Sequence, residues 1–226
     1  MVEQWVIPPK QDAAYVAAME DVLKVYERPF DGKRPVVCVD EISRQLLGEM
    51  AEPLPMKSGY PKRQDSEYKK HGTFNVYLIV EPLTGWCRTK VTEHRGNMDW
   101  AQLMRELVEE DFPEAEQIVV VCDNLNTHKK ASLYQKFKPD KALEIAERME
   151  MHHTPKHGSW LNMAEITLSV LARQCLNQRM NDVNEAAAKV EAWTAKTVLD
   201  AKPIQWLFRV LNARIKLSRV YPVIDN

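Results

Sequence analysis

Met151–Leu176, MHHTPKHGSWLNMAEITLSVLARQCL, is the stretch from which the rest of the chain is read. It predicts a short strand over 149–153, a tight turn carrying Pro155 and Gly158, and an amphipathic helix from about Ser159 to Gln178. With Leu161 as the reference, Ala164, Leu168, Leu171, Ala172 and Cys175 form the apolar stripe of that helix. Glu165 falls at the edge of the stripe, four residues after Leu161 and three before Leu168. An acid leaning toward a core needs a counter-charge, because an unpaired buried carboxylate is costly. A bound cation would supply one. The bland alternative is a first-turn glutamate favoured by the helix dipole.

Working outward, two apolar runs end in acids. RPVVCV precedes Asp40 and QIVVVC precedes Asp123, each reading as a strand buried on both faces. Ligand sites in open α/β sheets collect beyond the carboxyl ends of strands, so both aspartates are placed for a site. Taken singly, each is as well explained as a turn or cap residue. Residues 73–81 and 86–92 predict a hairpin around Pro82–Gly85. Helices are expected over 13–26, 100–110, a short segment after Asp123, 142–148, 185–199 and 203–217. Five strands with this connectivity imply an α/β protein with a mixed sheet flanked by helices.

Three regions follow: a helix or linker over 1–34, a core over 35–180, and helices over 181–226 packed on it. Residues 41–71 read as a long loop in which Lys62, Arg63, Lys69, Lys70 and His71 form a phosphate-contacting patch or a solvated charged surface. Lys202, Arg209 and Lys216, seven apart, suggest a basic face on the last helix.

The bulk numbers are those of an ordinary globular domain: 226 residues, 45% hydrophobic, 28% charged. The net charge of −1 neither advertises nor excludes nucleic acid. Cys38, Cys87, Cys122 and Cys175 are scattered without a CxxC pair, which argues against a zinc ribbon or disulfide framework. No apolar run reaches 18 residues and MVEQWVIPPKQ lacks the pattern of a signal peptide, so no membrane span and a cytoplasmic location are expected.

Three carboxylates suit magnesium, which prefers oxygen ligands and retains waters. Two such ions about 4 Å apart activate a nucleophile and stabilise a leaving oxygen. His152, His153 and His157 invite a zinc site, but Pro155 and Gly158 exclude the helical H-E-x-x-H geometry. His128 and His157 read better as orienting an acid or contacting DNA, or as surface-loop histidines. An aspartyl-phosphate enzyme is disfavoured because position 42 is Ile rather than a second Asp, and no phosphate loop occurs.

Three blocks, Val39-Asp40-Glu41, Cys122-Asp123-Asn124-Leu125-Asn126-Thr127-His128 and His153 through Glu165, together resemble the signatures of the DDE transposases. The nearest branch is the bacterial insertion-sequence branch of the Tc/mariner superfamily. The resemblance covers roughly 35–180. It implies a ribonuclease H-like fold, with Asp40, Asp123 and Glu165 binding two Mg²⁺ ions, for which Mn²⁺ substitutes. It implies cleavage at transposon ends and strand transfer by a 3′-hydroxyl, with DNA as partner and a homodimer on DNA. Asn162 fits the family's Leu-Asn-x-x-Glu pattern as a brace for Glu165 or a DNA contact, and Lys156 and His157 lie beside it as further DNA contacts. Full-length relatives carry N-terminal helix-turn-helix domains, whereas fewer than 40 residues precede Asp40. An excised fragment, a truncated copy or one product of a split gene is expected. The competing expectations are a silent relic that binds DNA or a partner transposase, and a ribonuclease H-like host nuclease that cuts without joining.

Overall fold

The structure, a computed structural model, describes residues 7–61 and 63–223. Its centre is a five-stranded sheet of β1 (Val36–Glu49), β2 (Tyr68–Glu81), β3 (Trp86–Thr92), β4 (Ile118–Cys122) and β5 (Met149–His153). The order across the sheet is β3-β2-β1-β4-β5. β1 pairs antiparallel with β2, and β2 with β3; β1–β4 and β4–β5 are parallel. The apolar runs of β1 and β4 lie at the centre, where both faces are covered.

Side chains alternate across a strand, so each central strand feeds two cores. Val36, Cys38, Val119 and Val121 face α1 (Ala13–Tyr26), α5 (Ala164–Gln174), α6 (Val183–Leu199) and α7 (Val210–Lys216). Val37, Val39, Val120 and Cys122 face α2 (Asn97–Glu106), α3 (Ala131–Lys136) and α4 (Pro139–Glu147). The N-terminal helix is part of the first core: Met19, Val22 and Leu23 are fully buried, and Asp12 caps α1 by accepting from the Tyr15 N–H at 2.9 Å. All four cysteines are free and buried. Among the described residues, no helix is long and apolar enough to cross a membrane.

Three elements differ from expectation. β1 does not stop at Asp40; its ladder with β2 runs on through a bulge between Gln45 and Leu47 to Glu49↔Tyr68. Residues 41–49 and 68–72 carry the β1–β2 pairing beyond the other strands; Leu46 reaches the core and Gly48 is buried, but 68–73 are exposed, so the ribbon shows little apolar alternation. The loop is therefore about 50–67, shorter than 41–71. Second, α5 begins at Ala164, because 159–161 is a 3₁₀ turn and Asn162 adopts φ −84°, ψ 110°.

Third, the expected helix over 203–217 is reduced to Val210–Lys216. The residues before it run extended over the β2–β3 turn, where the Ile204 N–H donates to the Pro82 carbonyl at 2.7 Å. Lys202, Arg209 and Lys216 therefore share no helical face, and that basic surface does not form. Packing here is tight enough to require glycine. Gly85 has φ +78°, and a Cβ on it would sit 2.6 Å from the Lys202 carbonyl oxygen. We expect Gly85→Ala to cost about 2 kcal/mol from the left-handed backbone and the clash together. Thermal unfolding checks this; an unchanged midpoint would show that the turn relaxes freely.

Candidate active site

Asp40 continues the alternation of Val36 and Cys38, and Asp123 that of Val119 and Val121, so both side chains belong to the α5 side of the sheet. The parallel register pairs Val36 with Val119 and Cys38 with Val121. Carried two residues on, it sets Asp40 beside Asp123. Glu165 joins them from the first turn of α5, which packs on β1.

Asp40 feels the acids around it. Burial is the largest cause raising the Asp40 carboxyl to about 7; repulsion from Glu41, Glu165 and Asp123 adds to it, against one stabilising bond from the Glu41 N–H at 2.8 Å. Neither Asp40 nor Glu165 forms an ion pair among the described residues. Asp123 is held differently. Its Oδ1 accepts from His128 Nδ1 at 2.5 Å and from the Leu125 N–H at 3.3 Å, while its side chain stays 35% exposed.

His128 has no solvent exposure and stacks on Trp100 with ring centroids 4.0 Å apart. Burial opposes its charge, but the hydrogen bond to Asp123, with Cys122 and the Glu41 carboxylate close by, outweighs that and pushes its pKa up to about 11, so it is an imidazolium at neutral pH. Its Nε2 lies 3.3 Å from Glu41 Oε2, within ion-pair reach but out of line for a hydrogen bond. Arg95 meets the other Glu41 oxygen at 3.3 Å. Glu41 points to the α2 face, opposite Asp40, and is answered by two cations. His128 thus supports Asp123 from inside the protein and presents nothing to a nucleic acid.

Asn162 is also buried, at 2% exposure, with its amide on the Val39 carbonyl. Arg63, Lys69 and Lys70 are exposed on or beside the ribbon, Arg63 paired through its backbone with Leu54. Lys156 and His157 are exposed at the tip of the turn before α5, beside Ile7–Pro9, with His157 at φ 63°. Lys62 lies outside the described residues. The three histidines considered for zinc do not gather. His152 bonds Asp21 at 2.6 Å and Glu150 at 2.9 Å, His153 Nδ1 faces the Asp123 carbonyl at 3.2 Å, and His157 faces outward.

Sequence reasoning passed over Glu41, Arg95 and Trp100. Glu41 had a signal, since a second acid beside a buried-strand Asp must face the opposite core. Trp100 and Arg95 had none.

Among the described residues, no three His, Cys, Asp or Glu side chains stand close enough to enclose a metal ion. The donor chemistry nevertheless fits a hard divalent cation. Asp40, Asp123 and Glu165 share one sheet face, two of the three acids have no cationic partner among the described residues, and the repulsion at Asp40 is what a cation would relieve.

Solved structures similar to this chain include complexes of the Mos1 mariner transposase. The Mos1 paired-end complex with left transposon end matches at a TM-score of 0.58 and 15% identity, covering 98% of this chain and 67% of that one. The Mos1 mariner paired end complex with Mn matches at 0.54 and 14%, covering 87% and 59%. The Mos1 Strand Transfer Complex matches at 0.57 and 13%, covering 86% and 58%. The chain thus spans about three fifths of the length of these last two. At such identities the likeness establishes the fold, a ribonuclease H-like five-stranded mixed sheet with helices on both faces. No curated protein matches the sequence. Residues 35–186 match the family described as DDE superfamily endonuclease, two thirds of the chain, and the protein belongs to that family.

Proposed function

We propose that this chain is the catalytic part of a transposase of the bacterial insertion-sequence branch, cutting DNA at transposon ends and joining a 3′-hydroxyl to target DNA. The reading assigns catalysis to a core over 35–180, with helices on either side. The observation that carries it is the gathering of Asp40, Asp123 and Glu165 on one face of the sheet, two of them without a counter-charge among the described residues. The likeness to Mos1 complexes, including one with Mn and one with Mg, supports it. So does the Leu161-Asn162-x-x-Glu165 spacing.

Asp40, Asp123 and Glu165 would hold two Mg²⁺ ions, or Mn²⁺ in their place, which supply Lewis-acid stabilisation and an activated oxygen nucleophile when bound. The chain's own residues do the rest. His128 fixes one oxygen of Asp123 and leaves the other free. Arg63, Lys69, Lys70, Lys156 and His157, with Lys62, would contact DNA phosphates in a homodimer assembled on the DNA. Cleavage and strand-transfer assays on DNA carrying the ends of the parent element, with Mg²⁺ or Mn²⁺, test the reading. Absence of both activities on every end-bearing DNA tried would overturn it.

A pH dependence follows from Asp40. Its carboxyl, raised to about 7, keeps its proton below that pH, and a cation must displace it. The Mg²⁺ concentration giving half-maximal nicking is expected to rise about tenfold per pH unit lowered below 7 and to level off above it. A midpoint constant from pH 6 to pH 8 would contradict this.

A further inference from the structure

We propose that Asn162 is a positioning residue that sets the separation between Asp40 and Glu165 by replacing a missing rung between β1 and β4. The inference rests on the metal-dependent reading above and extends it to a residue that touches no reacting atom.

At the lower end of the β1–β4 ladder, the Pro35 carbonyl accepts from the Val119 N–H at 2.9 Å. Carbonyls two residues apart on a strand point the same way, so those of Val37 and Val39 also face β4. The paired register ends at Cys38↔Val121. Beyond it the strands part, and no backbone bond joins the Asp123 N–H to the Val39 carbonyl among the described residues. That carbonyl accepts instead from Asn162 Nδ2 at 2.9 Å.

The same side chain faces the other way too. Asn162 Oδ1 accepts from the Ala164 N–H at 3.1 Å, and its backbone carbonyl accepts from the Glu165 N–H at 3.1 Å. One buried residue therefore ties the peptide before Asp40 to the first turn of the helix carrying Glu165. From outside, Tyr26 holds the preceding turn by donating to the Leu161 carbonyl at 2.7 Å. The apolar contacts of α5 resist separation from the sheet but not sliding along it. Directional bonds at its head resist both.

Both sides of the amide are needed. Serine at 162 keeps an oxygen near the Ala164 N–H but cannot reach Val39; alanine loses both bonds. The test compares wild type, Asn162→Ala, Asn162→Ser and Leu171→Ala. Leu171 is buried further along α5 and serves as a control for destabilisation alone. Two readouts are taken against Mn²⁺ concentration: the rise in thermal midpoint of the DNA-free protein, and the nicking rate.

Both Asn162 variants are expected to need about 10- to 100-fold more Mn²⁺ in both readouts, with nicking largely restored at saturation. Leu171→Ala is expected to unfold at lower temperature with an unmoved Mn²⁺ midpoint. If Asn162→Ala does not fold, Asn162→Ser decides. Asn162 variants that are less stable yet titrate with the wild-type midpoint overturn the positioning role while leaving the nuclease reading intact. A wild type that shows neither Mn²⁺-dependent stabilisation nor nicking overturns that reading, and the inference with it.

Discussion

Asp40→Asn, Asp123→Asn and Glu165→Gln are each expected to abolish Mg²⁺-dependent nicking while leaving the fold in place. The expected loss is about a thousandfold or more, since metal-borne charge stabilisation of several kcal/mol is removed and each 1.4 kcal/mol is tenfold in rate. The stability arm of the prediction is specific to Asp40. Its folded pKa, about 7, lies above the usual value for an aspartate, so the folded state binds a proton that the unfolded state has released. Stability is therefore lost as pH rises from the unfolded value toward 7, and the penalty is complete above it. Asn at this position carries no charge and escapes that penalty. Without metal, Asp40→Asn should melt above wild type at pH 8 and lose that advantage by pH 4. Full nicking activity in any of the three variants would defeat the assignment of the site.

His128→Ala is the second large effect, on stability and chemistry together. The imidazolium is buried between Asp123 and Glu41 and stacked on Trp100. Removing it leaves Glu41 with Arg95 as its recorded cationic partner and opens a void beside Trp100. Breaking a buried charge pair costs about 3–5 kcal/mol, which for a chain of this size lowers the melting midpoint by roughly 6–20 °C. Asp123 also loses the bond that fixes Oδ1, so nicking should fall well beyond the effect of partial unfolding at the assay temperature. Melting curves and nicking rates at a temperature where the variant is folded separate the two. A variant as stable as wild type would show that the cation is dispensable to the core.

Much of this was legible in the chain itself, and the limits are physical. The runs Val36–Val39 and Ile118–Cys122 announce central strands because only residues buried on both faces read as continuous apolar sequence. Asp123 at the end of one run and Glu165 at the edge of a helical stripe were visible for the same reason. The extension of β1 to Glu49 was hidden because the ribbon is held mainly by pairing to an exposed stretch of β2, and Leu46 alone in the core leaves little hydrophobic period. The shortening of the C-terminal helix to Val210–Lys216 turned on one tertiary fact, the seat that Gly85 and Pro82 offer to residues 202–204. His128 was the least legible. NLNTHKK leaves its histidine open between orienting an acid, contacting DNA and lying in a surface loop, and nothing local says that it turns inward to meet an acid eighty-seven residues earlier.

Asp40 lies within a strand whose ladder with β2 continues nine residues past it, to Glu49. Its main chain is thus clasped along one whole side, while Asp123 stands where β4 has already ended and Glu165 where α5 has only begun. The first acid is the anvil of the site. Any contraction of the three carboxylates around a guest falls to the segment after β4 and to the head of α5, the parts with the fewest backbone ties.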